Sequence, residues 1–172
     1  MNISPVPRVR FKFIPVAAGM LLYACSTGAD MLAVAVGYGN ISSSGSNAVF
    51  VSYQKDAPAL FNRKSLYELS IAYWSGPNYN TALSFGRTLR WKLSPENYCA
   101  ATLGIGMVDR TTDHLGTTGQ FMVRLAFGRK FGEYDLSIGE THYSNGKTAL
   151  GLDWDGPNVG EDFLTLMLAR EF

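Results

Sequence analysis

A chain of 172 residues is long enough for one domain, and its 17% charged and 13% aromatic residues with 18 glycines are too apolar a mixture for a strongly solvated globule. A mean hydropathy near zero argues against a bundle of transmembrane helices but fits a membrane β-barrel, in which lipid-facing apolar residues alternate with polar lumen-facing ones and average out. The formal charge of +1 gives no sign of a nucleic-acid partner.

Residues 1–29 read as a secretory signal peptide. Arg8, Arg10 and Lys12 form a basic start, FIPVAAGMLLYAC (13–25) is the apolar run, and STGA (26–29) offers small residues, with cleavage expected after Ala29. The apolar run falls short of the roughly 20 residues that a spanning helix requires. A retained anchor helix, or a lipoprotein signal ending at Cys25, are the alternatives. Removal of 1–29 takes away three basic residues and no acidic one, so the formal charge falls from +1 to −2. Cys99 is then the one cysteine in 30–172, which leaves no intramolecular disulfide. No Cys/His cluster has metal-ligand spacing.

From residue 30 onward eight segments favour strand, separated by Gly, Ser, Asn and Pro: 31–41, 47–55, 65–75, 81–93, 97–109, 120–131, 133–145 and 162–172. Most approach the roughly 9–11 residues of a tilted membrane strand. The first two, with VAVGYGNI and AVFVSYQK, alternate weakly. In the third, Tyr67, Leu69, Ile71 and Tyr73 oppose Glu68, Ser70 and Ala72. In the fourth, Leu83, Phe85, Leu89 and Trp91 oppose Ser84, Gly86, Thr88 and Arg90. The fifth sets Leu103, Ile105 and Met107 against Thr102, Gly104 and Gly106. The sixth sets Phe121, Val123, Leu125 and Phe127 against Arg124, Ala126, Gly128 and Lys130. Strict alternation places each set on one side of a sheet.

A soluble sandwich or lipocalin-like barrel would alternate too, so the direction needs a further argument. Glu68, Arg90, Arg124, Lys130 and Asp135 lie on the polar face among small residues, and a small closed barrel has a lumen just wide enough for paired charged side chains. Consecutive segments, an even strand number and a terminal aromatic (Phe172) suit an eight-stranded antiparallel up-and-down transmembrane β-barrel over 30–172.

Parity then orients the polar residues of the last two strands. Tyr134, Leu136, Ile138, Glu140, His142 and Ser144 share the lipid face of the seventh. In the eighth, Leu164, Leu166 and Leu168 set the lipid face and carry Asp162 with them, whereas Glu161 falls on the lumen side. A serine, a histidine and an acid, the types of a nucleophile–base–orienter set, thus converge on one outward patch. With both termini periplasmic, the seventh strand ends and the eighth begins at the extracellular rim. His114, in the polar loop TTDHLG, reads as an exposed loop histidine, and Tyr73, Trp74, Trp91 and Trp154 read as interfacial anchors.

HYSN (142–145) followed by PNVGED (157–162) resembles the outer-membrane lipid A 3-O-deacylases of the PagL type, and the resemblance extends upstream through LGIGMVDRTTDHLG (103–116) and FMVRLAFGRKFG (121–132). It implies an eight-stranded barrel enzyme that hydrolyses the 3-O-linked 3-hydroxyacyl ester of lipid A in the bacterial outer membrane without a cofactor. Ser144 is then the nucleophile, His142 the general base and Asp162 the acid, where the family usually has Glu; Glu161 and Glu140 are the alternative acids. Asn158, with Asn145 in support, is the matched oxyanion donor, although both asparagines also suit turns. The loop 146–156 is longer than the family pattern and is a candidate contact for the sugar headgroup. The implied partners are lipid A or lipopolysaccharide as substrate, outer-membrane lipid and, as an assembly, a homodimer. A phospholipase or other outer-leaflet acyl-ester hydrolase is the alternative enzyme, and a non-catalytic structural or adhesive barrel the alternative of another class.

Overall fold

The computed structural model describes residues 30–39, 41–43, 45–151 and 156–172. The signal peptide expected over 1–29 and Trp154 lie outside the described residues. Eight strands follow one another: β1 (Met31–Gly39), β2 (Asn47–Leu60), β3 (Arg63–Trp74), β4 (Asn80–Lys92), β5 (Asn97–Val108), β6 (Gly119–Phe131), β7 (Tyr134–Ser144) and β8 (Glu161–Glu171). Each pairs antiparallel with the next, and β8 returns to pair with β1 from Met31↔Glu171 to Gly39↔Phe163, so the sheet closes. Closure removes the unpaired strand edges that lipid could not satisfy. Among the described residues one helical turn, α1 (Lys147–Leu150), lies in the β7–β8 connection between Gly146 and Gly151, both in the left-handed region.

The strands fall close to the expected segments, with one clear difference. β2 runs on to Leu60, where a register shift lies between Ala57 and Leu60. Pro58 sits in that irregularity, where a residue without an N–H is tolerated. Its carbonyl accepts hydrogen bonds from Ser65 Oγ at 2.8 Å and from the Arg87 guanidinium.

The barrel is inside out relative to a soluble protein. Leu69, Ile71, Leu83, Phe85, Leu103, Ile105, Leu125, Ile138, Leu166 and Leu168 are exposed on the outer face, while Glu68, Arg124, Arg90 and Asp135 are buried in the lumen. In the half of the barrel toward the β2–β3, β4–β5 and β6–β7 turns, the charges pair across strands. Arg124 meets Glu68, whose Oε2 also accepts from Gln54 Nε2 at 2.9 Å and Thr88 Oγ1 at 3.1 Å. Arg90 Nη1 is 2.7 Å from Asp135 Oδ2, and the Tyr98 hydroxyl donates to the same carboxylate. Lys130 lies nearer the rim and pairs with Glu171 at 3.0 Å.

The opposite half of the lumen is aromatic. Phe50, Trp74, Tyr143 and Phe163 are buried there, with the Trp74 ring 5.5 Å from both Tyr143 and Phe163. Trp74 is therefore a core residue and not the interfacial anchor its type suggested. It has the parity of Glu68, Ser70 and Ala72, and its indole N–H reaches Asn78 O at 2.9 Å, which satisfies its buried donor. Phe50 explains the weak alternation of β2, because this large apolar side chain points inward against Phe163.

Candidate active site

The site forms where β7 ends and β8 begins. Side chains alternate inward and outward along both strands. Tyr143 and Phe163, fully buried in the aromatic plug, anchor the two strands next to the outward residues His142, Ser144 and Asp162. A rigid inner layer thus fixes the backbone that carries the outer one.

The ladder pairs His142 directly with Asp162, and their side chains meet, with His142 Nδ1 2.7 Å from Asp162 Oδ1. The imidazole is about one-third exposed and the carboxylate 13%, so the pair is partly shielded from solvent. Ser144 shares the outward face two residues on, and consecutive same-face residues of a strand lie roughly 6.5 Å apart. Among the described residues no hydrogen bond links Ser144 to His142. Hydrogen bonds between a nucleophile and its base commonly tighten only when a substrate is bound.

The three acids separate cleanly. Asp162 holds His142. Glu161 lies opposite Tyr143, is fully buried on the lumen side and faces His114 and Ser43, as parity required. Glu140 keeps the outward face but sits opposite Leu125 and Leu164, two register positions from His142. His114 is not the exposed loop residue expected of it. It is 24% exposed, its Nδ1 is 3.0 Å from Glu161 Oε1, and its carbonyl accepts the Gly160 N–H at 3.1 Å.

The asparagines knit the loop that frames the site. Asn145 is buried, donates its N–H to Asn158 Oδ1 at 3.0 Å and its Nδ2 to Pro157 O at 3.2 Å, and accepts from the Lys147 N–H at 3.0 Å. Asn158 bridges to Leu115, which ties this loop to the β5–β6 connection. Gly160 has φ +85°, and a Cβ there would come within 2.5 Å of His142 Cε1. The backbone passes so close beneath the imidazole that no larger residue fits without displacing it.

Sequence reasoning missed two residues. Ser42 and Ser43, in the β1–β2 connection, lie against Asp162: Ser42 Oγ donates to Asp162 Oδ2 at 2.5 Å, and the Asp162 N–H donates to Ser43 Oγ at 2.7 Å. The stretch ISSSGSN looks like an ordinary loop, and only barrel closure brings residues about 120 positions apart together.

On the outer face, Phe121 pairs with Ser144 and Val123 with His142. Both line an apolar groove of about 460 Å³ that crosses Leu103 and Ile105 on β5 to Phe85 and Arg87 on β4.

The family profile described as "Lipid A 3-O-deacylase (PagL)" matches residues 47–171, most of the chain. The protein belongs to the PagL family of lipid A 3-O-deacylases. A crystal structure of the outer membrane enzyme PagL superposes with a TM-score of 0.62 at 21% identity, covering 83% of this chain and 99% of that one. De novo designed transmembrane β-barrels superpose with a TM-score of 0.57 at 15% identity, covering 86% and 98%. At such identities these likenesses show the fold alone; the family rests on the profile. No curated protein sequence matches the chain at a significant level. His142, Ser144, Asn158 and Asp162 all fall within the part matched to the PagL family, whereas Ser42 and Ser43 precede it.

Proposed function

We propose that this outer-membrane lipid A deacylase of the PagL family works as a serine esterase through Ser144, His142 and Asp162, with its active site facing the outer leaflet. The observation that carries this reading is the 2.7 Å contact between His142 Nδ1 and Asp162 Oδ1 on the outer face, two residues from Ser144. With Nδ1 held by the carboxylate, Nε2 is the nitrogen left to serve as base.

Ser144 Oγ attacks the ester carbonyl of the 3-O-linked hydroxyacyl chain as Nε2 takes its proton. Asn158 supplies an N–H to the resulting oxyanion, its carboxamide oxygen being occupied by Asn145. The bond to the sugar oxygen breaks as the imidazolium returns the proton to it. A water molecule, deprotonated by the same nitrogen, then releases the acyl chain from Ser144. Asp162 stabilises the imidazolium in both steps.

Two features support the orientation. The site lies at the end of the barrel that carries the β1–β2, β3–β4, β5–β6 and β7–β8 connections, while the other end has the tight turns Phe61–Asn62 and Gly132–Glu133. Bacterial outer-membrane barrels place short turns in the periplasm and longer loops outside. The apolar groove that begins beside Ser144 is open to lipid, so an acyl chain enters it without leaving the hydrocarbon.

An activated serine reacts with phosphonate esters that mimic the tetrahedral intermediate. A fluorophosphonate probe is expected to label the detergent-solubilised barrel once, at Ser144, and to leave His142→Ala unlabelled. Equal labelling of the His142→Ala protein would show that the imidazole does not activate the serine.

A further inference from the structure

Asp162 is held at both carboxylate oxygens and at its backbone. Oδ1 meets His142 Nδ1 at 2.7 Å, Oδ2 accepts from Ser42 Oγ at 2.5 Å, and the Asp162 N–H donates to Ser43 Oγ at 2.7 Å. Ser43 in turn donates to Glu161 Oε2, whose other oxygen lies 3.0 Å from His114 Nδ1. Adjacent serines of one loop therefore grip adjacent acids of one strand, one pair facing outward and the other inward.

The chain is built to place that loop. The Gly39 N–H donates to Ser46 O at 2.8 Å and the Ser46 N–H to Ser43 O at 3.0 Å, folding the segment back over the start of β8. A Cβ at Gly39 would sit 2.0 Å from Ser43 O, so only glycine permits the approach.

We propose that Ser42 is a positioning residue that fixes both the orientation and the permitted length of the acid. This rests on the reading of Asp162 as the partner of a catalytic His142. A carboxylate at a lipid-facing site has little water to satisfy its second oxygen, and an unsatisfied charge is costly. Ser42 supplies that hydrogen bond from the side opposite the imidazole and so keeps Oδ1 aimed at Nδ1. The span from the β8 backbone to His142 is set by the direct His142↔Asp162 pairing. One more methylene at 162 would drive the carboxylate into the Ser42 hydroxyl or past the imidazole. The Ser42–Asp162 pair is therefore one unit, in which the loop residue selects the shorter acid.

The test is steady-state deacylation of purified lipid A in mixed micelles by wild type, Ser144→Ala, Ser42→Ala, Ser42→Thr, Asp162→Glu, Ser42→Gly and the Ser42→Gly/Asp162→Glu double variant. Heat-modifiable gel mobility verifies that each barrel is folded. Ser42→Ala is expected to lose roughly 10- to 100-fold in kcat with KM unchanged, the range for a hydrogen bond to a charged group. Ser42→Thr, which keeps the hydroxyl, restores most of it. Asp162→Glu loses activity that the additional Ser42→Gly change partly recovers, a non-additive result that a merely structural loop would not give. Ser42→Ala with wild-type kcat, or a double variant equal to the product of its singles, overturns the proposal. If Ser144→Ala retains full activity, the catalytic reading itself has failed, and the two failures are thereby told apart.

Discussion

Ser144→Ala and His142→Ala are each expected to lower the rate of ester hydrolysis by about 10^4-fold or more, and the double variant to be no slower than either single one. The serine has no nucleophilic strength without a base to take its proton, and the base does nothing without the serine, so the two act as one unit. Asp162→Ala is expected to cost about 10^3- to 10^4-fold, because the imidazole would lose the partner that fixes its tautomer and stabilises its cation. Glu161→Ala keeps the rate within about tenfold of wild type, since Glu161 faces the lumen with Ser43 and His114 and does not touch His142. Comparing hydrolysis rates of the folded barrels checks all five variants. Equal losses for Asp162→Ala and Glu161→Ala would undo the assignment of the acid by strand parity.

The largest effect on stability is expected at Arg124. Its guanidinium meets Glu68 deep in the lumen, with the two side chains 5% and 0% exposed. Arg124→Met leaves Glu68 a buried carboxylate served only by the neutral donors Gln54 and Thr88. Breaking one side of such a pair costs about 3–5 kcal/mol, whereas replacing both sides by apolar groups often costs little. Denaturant unfolding of the barrel in lipid vesicles should show a lowered midpoint for Arg124→Met and a largely recovered one for Glu68→Leu/Arg124→Met. An unchanged midpoint for the single variant would mean that the lumen is wet enough to solvate Glu68 alone.

The outer face of the barrel was legible in the sequence because period-two alternation is a local property. Leu103, Ile105 and Met107 need no knowledge of the rest of the chain to be placed on one side. The same parity separated Asp162 from Glu161, one residue apart on opposite faces, and put His142 beside Asp162. What the sequence hid depends on closure or on the contents of the lumen. Ser42 reaches Asp162 only because β8 pairs with β1, a relation with no periodic signature. Phe50 and Trp74 face inward because the lumen near the site is filled mainly by rings, so residue type misled where parity would have served. His114 is drawn to Glu161 by the bridge between Leu115 and Asn158, a contact between two loops that neither loop announces.

We propose that Ser144, on the outer face of this barrel, is the residue through which lipid A is cleaved. Mass spectrometry of lipid A from Gram-negative cells expressing the wild-type chain or Ser144→Ala, both inserted in the outer membrane, tests it most directly. The wild-type protein should yield lipid A lighter by one ester-linked 3-hydroxyacyl group at the 3-position, and the Ser144→Ala protein should yield lipid A of unchanged mass. The same loss with both proteins, or with neither, would contradict the claim.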